Sequence, residues 1–428
     1  MICGIDLGST FFKAGIFDRD LRPCGHGAAR VVYSPVGGKR IEMPVEETED
    51  AFRQAVGDAL RSAGCAPAGV KAVAIASQAQ TFTVRSADGR ARLPFISWRD
   101  RRSEDDNVAA RSLQRFASHC SVDRCLSLLA VAKIAFLRKN EPAWRIEPND
   151  TILMLPTWFV TQLTGAPAVD ANLAAMSGLY SLPAGDWWEA ALHVCGLSRD
   201  QLPAARPIGS VAGSTTGNAE RFGLPRGIPV VLAGNDQTAG AYGAQIHRHD
   251  AVLISLGTAQ VVYVCRATMP PAAGDTMRGP YPGGRFYRLA ADECGTGTID
   301  WARAVVAGGG ADGDFDAAAA AGATDCHGVR FVADGPAGQG RWMGAERRDV
   351  TAGDRARAVL ECLGERLARM AQRLDVDVAS QPLWVTGGGS RAAFWIRLIE
   401  QRLGAPLHRV PSASPSLGAA RMARKILP

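Results

Sequence analysis

Two charged residues interrupt apolar, strand-like runs at the start of the chain. In the opening stretch ICGIDLGSTFFKAGIFD, Asp6 falls in the first run and Lys13 in the second. The turn between the runs consists of Gly8, Ser9 and Thr10. Such a turn presents backbone N–H groups and hydroxyl donors that suit phosphate oxygens, because glycine lets the backbone come close. We therefore expect the turn to bind phosphate, Lys13 to meet the terminal phosphate and Asp6 to hold Mg²⁺, since a buried carboxylate without a partner is costly.

A second stretch far downstream repeats this plan. AVLISLGTAQVVYVC has an apolar run, a turn with Gly257 and Thr258, and another apolar run. We expect the two turns to hold one row of phosphates from opposite sides of a cleft. Ordinary hairpins remain the alternative for both, because glycine and hydroxyl residues are common in turns. The sequence has no G-x-x-x-x-G-K-[ST] motif, so it is not that of a P-loop enzyme.

A third candidate for chemistry lies in VVLAGNDQTAGAYGAQ. This pattern predicts a strand, a turn and a helix, with Asn235 and Asp236 at the junction. Helix capping is one explanation, because Asn and Asp are preferred caps. The other is catalysis, since open α/β sheets bind ligands at the carboxyl ends of their strands. A carboxylate there would accept the proton of a hydroxyl that attacks phosphorus.

The elements that must position these residues follow the same order in both halves of the chain. Each half begins with a glycine-threonine hairpin and continues through mixed strands and helices. We therefore expect an α/β protein of two similar domains, residues 1–246 and 247–428, with a ligand cleft between them. The low-complexity segment 307–325 is expected to be a loop or a loosely packed helix.

Composition restricts the class of protein. The chain has 428 residues, a formal charge of +6, 47% hydrophobic residues and ten cysteines. The sequence lacks the basic runs with interleaved aromatic residues that are typical of nucleic-acid-binding proteins. It also lacks an apolar run long enough to span a membrane. The cysteines form no C-x-x-C pair or zinc-type cluster, and the first strand begins at once without a signal peptide. These features predict a cytoplasmic protein.

Four segments, in this order, resemble the FGGY family of carbohydrate kinases. GIDLGSTFFKAGIFD looks like its first phosphate motif, and GNDQTAGAYGA resembles the segment with its catalytic aspartate. ISLGTAQ looks like the second phosphate motif, and VTGGGSRAAFWIRLIEQRLGAPL with SLGAARMA is similar to the adenosine motif and C-terminal signature. The resemblance covers nearly the whole chain. It implies two ribonuclease-H-like domains of the actin/hexokinase/Hsp70 superfamily, and ATP-dependent phosphorylation of a sugar or polyol hydroxyl with Mg²⁺.

The resemblance also implies roles for single residues. Asp236 would be the general base, in contact with the substrate, and Asp6 the carboxylate on the metal side. The implied phosphate and nucleoside contacts are Thr10, Lys13, Gly257, Thr258, Gly387, Gly388, Gly389 and Ser390. Gly295 and Thr296, in GTGTID, resemble a dinucleotide loop and are further candidates for nucleotide binding, although no clear strand precedes them. Without the resemblance, TGGGS is only a loop between a strand and a helix.

The sugar contacts are expected after the strand VKAVAIAS and around SWRDRR. Xylulose kinases of this family commonly have Gly-Gln-Met-His after that strand. Here Gln78 matches, whereas Ala79 and Gln80 replace Met and His. Gln80 would be a hydroxyl contact or a surface strand residue. Trp98 would pack against the sugar or fill the core, and Asp100 matches the family's W-x-D-x-R pattern.

The favoured substrate is a ketopentose such as xylulose, with ribulose, gluconate or glycerol as other acceptors. The chain is short for the family, and Ala259 replaces a hydroxyl residue, so a loose nucleotide site is one consequence. A sugar-sensing protein without catalysis is therefore the second hypothesis, and an actin- or chaperone-type ATPase is the third. A homodimer is compatible with the sequence, which identifies neither the oligomeric state nor the hydroxyl that is phosphorylated.

Overall fold

The computed structural model describes residues 1–34, 37–141, 144, 146–306, 314–335, 338–410 and 413–428. Its strands, in chain order, are β1 Ile2–Leu7, β2 Phe11–Phe17, β3 Pro23–Arg30, β4 Glu42–Met43, β5 Ala72–Ser77, β6 Phe82–Arg85, β7 Phe95–Ile96, β8 Thr151–Met154, β9 Ala168–Asp170, β10 Tyr180–Ser181, β11 Asp186–Trp187, β12 Ala204–Arg206, β13 Val211–Ser214, β14 Pro229–Asn235, β15 Val252–Leu256, β16 Gln260–Arg266, β17 Thr276–Tyr281, β18 Arg285–Asp292, β19 Arg330–Val332, β20 Arg341–Met343, β21 Leu383–Thr386 and β22 Leu407–Arg409.

The α-helices connect these strands and cover their sheets. In chain order they are α1 Val45–Ser62, α2 Val108–Ser112, α3 Phe116–His119, α4 Ala130–Asn140, α5 Leu155–Thr164, α6 Ala171–Met176, α7 Glu189–Cys195, α8 Asp236–Gly243, α9 Ile246–His249, α10 Thr296–Val306, α11 Phe315–Ala321, α12 Ala352–Arg373, α13 Ala393–Leu403 and α14 Pro415–Arg424. Local signals fix several helix ends. Thr351 and Asp354 form a capping box at the start of α12, and Gly165 ends α5 with φ +82°.

The first six-stranded sheet has the order β13-β14-β5-β1-β2-β3. Strands β1, β2 and β3 are antiparallel, whereas β1, β5 and β14 are parallel. Both faces of β1 and β5 are buried, which explains their continuous apolar runs. The parallel trio therefore brings the residues that follow β5 and β14 to the same end of the sheet as the end of β1.

Five strands of the second six-stranded sheet repeat this topology, whereas the sixth, β17, lies beside β18 and not at the position of β13. The order of this sheet is β17-β18-β16-β15-β21-β22, with β15, β16 and β18 antiparallel and β15, β21 and β22 parallel. Strand β15 thus corresponds to β1, and β21 corresponds to β5. The expected internal duplication is confirmed at the level of strand order.

Helices α8 and α14 pack together in the region between the two sheets. One buried cluster contains Ile2 and Val231 from the first sheet, Leu253 and Tyr263 from the second, and Ala419 from α14. The C-terminal helix therefore contributes to the core that the two sheets share, although its chain follows the second sheet.

The surroundings of GTGTID differ from the sequence expectation. GTGTID does follow a strand, because β18 ends at Asp292, three residues before Gly295, and α10 begins at Thr296. The expectation that no strand precedes it was wrong. In the low-complexity segment, residues 307–313 lie outside the described residues, and residues 315–321 form α11.

Candidate active site

The carboxyl end of the first sheet gathers the charged residues singled out in the sequence. Asp6 on β1 lies opposite Lys13 on β2, and β1 runs parallel to β5. The backbone N–H of Gln78, just after β5, donates to Leu7 O at 2.9 Å. Asp236 follows β14, the next strand of the parallel trio. The structure thus brings Asp6, Gln78 and Asp236 to one edge.

Asp6 has an unsatisfied, buried carboxylate. Its side chain is 5% exposed, and its Oδ1 atom has no hydrogen-bond partner. Burial, together with the charge of Asp236, raises the pKa of Asp6 to about 7, while Lys13 acts in the opposite direction. An orphaned buried oxygen beside a second carboxylate fits a cation, because a cation would offset both the desolvation and the repulsion.

Asp236 is the first residue of α8, and Asn235 before it provides the cap. Asn235 Oδ1 accepts from Gln237 N at 3.0 Å, and Asp236 Oδ1 accepts from the same N–H at 2.7 Å. Burial raises the pKa of Asp236 to about 6, although the Gln237 N–H, the Asn235 side chain and Lys13 all lower it. The capping function that was the alternative for Asp236 is therefore carried largely by its neighbour.

Asn172 supports this strand-to-helix junction, and sequence reasoning missed its role. Its Oδ1 accepts from Asn235 N at 2.9 Å, and its Nδ2 donates to Thr238 Oγ1 at 3.1 Å. The same Nδ2 donates to Pro280 O on β17 at 2.7 Å, so one amide ties the junction to the second half of the chain. No local pattern in the sequence marked Asn172 for this role.

The turn of Gly8, Ser9 and Thr10, which is predicted to bind phosphate, is held by hydrogen bonds to its backbone oxygens. Tyr33 donates its hydroxyl to Ser9 O at 2.5 Å, and Val31 N donates to Thr10 O at 3.0 Å. A Cβ on Gly8 would lie 2.9 Å from Phe11 O, so only glycine fits there without a shift. Thr10 and Lys13 remain exposed and free to meet a ligand. No local sequence pattern pointed to Tyr33, which lies two strands away.

The turn at Gly257 and Thr258 is hydrogen-bonded to the segment GTGTID. Thr296 N donates to Gly257 O at 2.8 Å, and Gly297 N donates to Thr258 O at 3.3 Å. A Cβ on Gly295 would lie 2.6 Å from Gly257 O, which explains the glycine at that position. The structure therefore joins Gly295 and Thr296 to the predicted phosphate turn.

The TGGGS loop lies against the end of β15, which leads into the turn at Gly257 and Thr258. Gly387 has φ +91°, and a Cβ there would lie 2.5 Å from Leu256 O. Ser390 Oγ donates to Gly387 O at 2.7 Å, so this hydroxyl holds the loop in place. Gly387 and Gly388 are exposed, whereas Gly389 and Ser390 are buried.

A cavity of about 310 Å³ opens beside this loop. It is lined by Thr296, Ile299, Asp300, Arg303, Asp314, Phe315, Asp316, Leu360, Gly388, Gly389, Arg391, Ala392 and Trp395. The cavity combines an apolar and aromatic wall with exposed backbone at two glycines, which suits a purine nucleoside. Asp316 fixes one side of it, because its carboxylate accepts from Phe394 N at 2.8 Å and from Trp395 N at 2.9 Å. The sequence did not identify α11 as part of this wall.

In the predicted sugar loop, the side chains of Gln78 and Gln80 differ in their hydrogen bonding. Gln78 is 5% exposed, and neither polar atom of its side chain has a partner. Gln80 has φ +67°, and its side chain accepts from Ala130 N at 2.8 Å and donates to Met176 O. The surface alternative for Gln80 was wrong, because the side chain is 6% exposed and both polar atoms are bonded within the protein. Ala79 between them is partly buried.

Lys133 lies next to this loop as a fully buried amine. Its Nζ donates to Gln80 O at 3.0 Å and to Ser97 O at 2.7 Å, and its exposure is 0%. Burial lowers the pKa of Lys133 to about 7, although Asp100 raises it. The lysine thus connects the backbone after Gln78 to the backbone before Trp98.

Trp98 and Asp100 have different surroundings. Trp98 lines a cavity of about 680 Å³ between the two halves, together with Leu129, Ala259 and Met277. Asp100 is 0% exposed, and it accepts from Arg102 Nε at 3.0 Å, from Arg102 Nη2 at 2.8 Å and from Ile41 N at 2.9 Å. Its oxygens are thus occupied by bonds that hold the loop after Trp98.

Two sheets that share five strands in the same arrangement, with buried acidic groups at the end of the first and a cavity at the end of the second, are compatible with a two-domain phosphotransferase. Residues 1–243 match the N-terminal domain of the FGGY family of carbohydrate kinases, and residues 252–425 match its C-terminal domain. The chain belongs to this family of enzymes, whose phosphate donor is ATP.

Known relatives agree with this assignment over almost the full length. Xylulose kinase of Escherichia coli strain K12 is 24% identical over 99% of this chain and 90% of its own length. L-fuculokinase of Salmonella typhi is 26% identical over 99% and 91%. The solved structure of xylulose kinase from Rhodospirillum rubrum superposes with a TM-score of 0.87 at 21% identity, over 98% of this chain and 88% of that one. The actin/hexokinase-type fold is therefore confirmed.

Two properties of the described residues bear on membranes and metals. None of the helices in the described ranges has the length and apolar character needed to cross a bilayer. Within the same ranges, no three His, Cys, Asp or Glu side chains come together as a preformed metal site. A pair of carboxylates is nevertheless enough for Mg²⁺, which keeps several waters and takes its remaining ligands from substrate phosphates.

Proposed function

We propose that this protein transfers the γ-phosphate of ATP to a hydroxyl of a ketopentose such as xylulose, or of a closely related sugar or polyol. The observation that carries the proposal is the group at the edge of the first sheet. A carboxylate with a raised pKa, Asp236, lies beside the unsatisfied carboxylate of Asp6 and near the unsatisfied amide of Gln78. A proton acceptor, a cation site and a hydroxyl-binding amide are what phosphoryl transfer to an alcohol needs.

The nucleotide would lie between the two phosphate turns. Its base and ribose would occupy the cavity at Gly388 and Gly389, and its inner phosphates would meet Gly257, Thr258, Gly295 and Thr296. Its terminal phosphate would meet the Gly8-to-Thr10 turn and Lys13, which is exposed at the edge of β2. Backbone N–H groups and one ammonium then stabilise charge that spreads over the transferred phosphoryl group.

Asp236 would take the proton of the attacking hydroxyl. With a pKa of about 6, this carboxylate is mostly ionised at pH 7, yet it is more basic than an exposed aspartate. Asp6 would hold Mg²⁺, which supplies neutralisation of the phosphate charge when it is bound. Lys13 lowers the pKa values of both carboxylates, so it also keeps the base ionised.

The acceptor would bind between Gln78, Ala79 and Trp98. The free amide of Gln78 offers two donors and an acceptor to sugar hydroxyls. Ala79 leaves more room than the methionine common in xylulose kinases, so the site would also admit relatives of xylulose that are bulkier at this point. Asp100 and Gln80 would act by positioning, since their polar atoms are bonded within the protein. The similarity to xylulose kinase and L-fuculokinase supports a sugar of five or six carbons.

The base assignment is tested by Asp236→Asn, which keeps the side-chain shape and removes the proton acceptor. We expect kcat to fall by at least about 10²-fold, the usual contribution of a general base, with the affinity for ATP unchanged. Asp88→Asn, in the exposed turn after β6, is the matched control and should keep full activity. Near-normal turnover of Asp236→Asn would rule out this role.

The acceptor is tested by ADP release with xylulose, ribulose, gluconate, glycerol and L-fuculose. We expect the highest kcat/KM with a ketopentose. A higher value for another acceptor would correct the substrate and leave the kinase assignment intact. Saturable sugar binding without ADP release from any acceptor would favour the sensing function instead.

A further inference from the structure

A cluster of cationic side chains surrounds His247, where α9, the end of α14 and strands β17 and β18 meet. The ring of His247 stacks on Tyr242 at 4.9 Å between centroids, and its Nδ1 lies 3.2 Å from Tyr281 Oη. Lys425 Nζ lies 5.3 Å from the centroid of Tyr242. The cationic residues around this aromatic floor are Arg248, Arg285, Arg421 and Lys425. We call these four residues and His247 the basic cluster.

The positive charge of the basic cluster is not balanced by the protein. Within the ranges that the structure describes, none of its four cations is ion-paired with a carboxylate. Arg421 is half-buried, and its Nε is buried without a hydrogen-bond partner. Arg285 donates from Nε to the thiol of Cys265 at 3.1 Å instead of to an acid. Asp250, at the end of α9, is exposed and pairs with none of them.

Such an arrangement is unfavourable without a ligand. Like charges repel, and a half-buried guanidinium loses hydration that an unpaired site does not replace. Burial and then the four cations lower the pKa of His247 to about 4, so its ring is neutral at pH 7. His247 and Tyr281 share one hydrogen bond, so the neutral pair keeps one further donor, either His247 Nε2–H or Tyr281 O–H, which does not add to the repulsion.

We propose that the basic cluster is a second anion site, which binds a phosphate group either free or carried by a small molecule. Arginine forks bind phosphate oxygens in pairs, and a lysine adds a mobile point charge. Arg421 lies on α14, and Lys425 follows its last residue with helical backbone angles, so the two, four residues apart, lie on the same side. Arg285 comes from β18 of the second sheet, directly opposite Tyr281 on β17. A bound phosphate would therefore be held by groups from α14 and from the second sheet.

This site is separate from the proposed phosphoryl-transfer site. Asp236 begins α8, whereas Tyr242 and His247 lie at its far end and beyond it. Six residues of helix, about 9 Å, separate Asp236 from Tyr242, and His247 follows four residues after the last residue of α8. None of the residues assigned to ATP or sugar belongs to the basic cluster, so this inference does not depend on the proposed function.

The test is isothermal titration calorimetry of the full chain with inorganic phosphate and, separately, with ribose 5-phosphate, at constant ionic strength. The Lys13→Met variant is titrated in parallel, because phosphate at the first turn would otherwise contribute. We expect saturable one-site binding that persists in Lys13→Met and weakens at least tenfold in Arg421→Gln and in Arg285→Gln. Arg409→Gln, an exposed arginine on β22, is the matched control and should bind as the wild type does.

The two ligands distinguish the source of the phosphate. Tighter binding of inorganic phosphate would indicate free phosphate, and tighter binding of ribose 5-phosphate would indicate a phosphate ester. The melting temperature without ligand shows whether each variant is folded, and Arg285→Lys replaces Arg285→Gln if the latter is not. The absence of saturable binding of both ligands to wild type and Lys13→Met would overturn the proposal. Equal affinity of wild type, Arg421→Gln and the Arg285 variant would overturn it as well.

Discussion

At the scale of single residues, Lys133 is a fully buried amine in the proposed sugar-binding region. Its ammonium is fully buried and donates to the backbone oxygens of Gln80 and Ser97, and it faces the ring of Phe82 at 5.9 Å. These two carbonyls belong to the loops that present Gln78 and Trp98. Burying this amine is unfavourable, but its two hydrogen bonds hold the two loops at a fixed distance from each other.

The pKa of Lys133 gives this cost a pH dependence. The unfolded chain has an ordinary lysine pKa of about 10.4, whereas the folded value is about 7. Between these values the unfolded state binds more protons, so the free energy of unfolding should rise as pH increases from 7 to 10. Lys133→Met should lack this rise, which would amount to at least about 1.4 kcal/mol, the equivalent of one pKa unit.

Urea denaturation of wild type and Lys133→Met at pH 7, 8.5 and 10 measures how the free energy of unfolding of each protein depends on pH. Lys71→Met, an exposed lysine on the same half of the chain, controls for the loss of a lysine. The KM for the sugar should also increase in Lys133→Met more than kcat decreases, because the loops lose their connection. Parallel pH profiles of Lys133→Met and wild type would contradict the prediction.

Sequence reasoning at this scale succeeded where the signal was local. Asp6 and Lys13 were identified because a charge inside an apolar run needs an explanation, and the structure brings them face to face. Gln80 was misjudged, because its positive φ and its partners at residues 130 and 176 depend on distant parts of the chain. The ligand roles of all these residues remain predictions.

At the scale of elements, the end of β14 sets the direction of Asp236. Gly234 has φ +74°, and a Cβ there would lie 2.3 Å from Ile208 Cδ1 and 3.1 Å from Asn172 Oδ1. Asn172 in turn accepts from the N–H of Asn235. The missing side chain of one glycine thus lets the amide of Asn172 reach the junction that carries the proposed base.

Gly234→Ala should therefore displace Asp236 as well as strain the backbone. We expect a loss of about 1–3 kcal/mol in the free energy of unfolding and a fall in kcat of at least tenfold. Gly227→Ala is the matched control, since Gly227 also has a positive φ, +78°, but a Cβ there would meet no atom within 4 Å. It should lose about 1 kcal/mol from strain alone and keep its kcat. Equal kcat values for the two variants would refute the positioning argument.

The elements that could be predicted were those with their own start and stop signals. Pro156 and Gly165 delimit α5, and the capping box begins α12. Strand β18 was missed, because Arg285–Asp292 alternates weakly and is a strand mainly through its pairing with β16 and β17. Because β18 was missed, the contact between GTGTID and the turn at Gly257 and Thr258, the second turn predicted to bind phosphate, could not be foreseen.

At the scale of the whole molecule, the two halves are joined by a few specific contacts. Asn172 donates to Pro280 O, Arg278 Nη2 donates to Ala117 O at 2.8 Å, and Arg278 N donates to Ser121 O at 2.9 Å. The shared apolar cluster at α8 and α14 lies at the same junction. The duplicated topology was readable from the sequence, whereas this junction was not, because its partners are far apart in the chain.

The contact between α8 and α14 leads to the last prediction. A Cβ on Gly418 of α14 would lie 1.7 Å from Ala239 O, so the two helices approach as closely as backbones allow. Gly418→Ala should push α14 away from the shared cluster and lower the free energy of unfolding by about 2–4 kcal/mol, the usual size of a severe packing defect. Gly364→Ala, in the middle of α12, meets no atom closer than 3.6 Å and should raise stability by about 0.5–1 kcal/mol. Thermal and urea unfolding of both variants measures this difference in stability. The kcat of Gly418→Ala should also fall, because a displaced α14 would shift α8, whose first residue is Asp236. Equal stability of Gly418→Ala and wild type would mean that α14 is not a structural part of the junction.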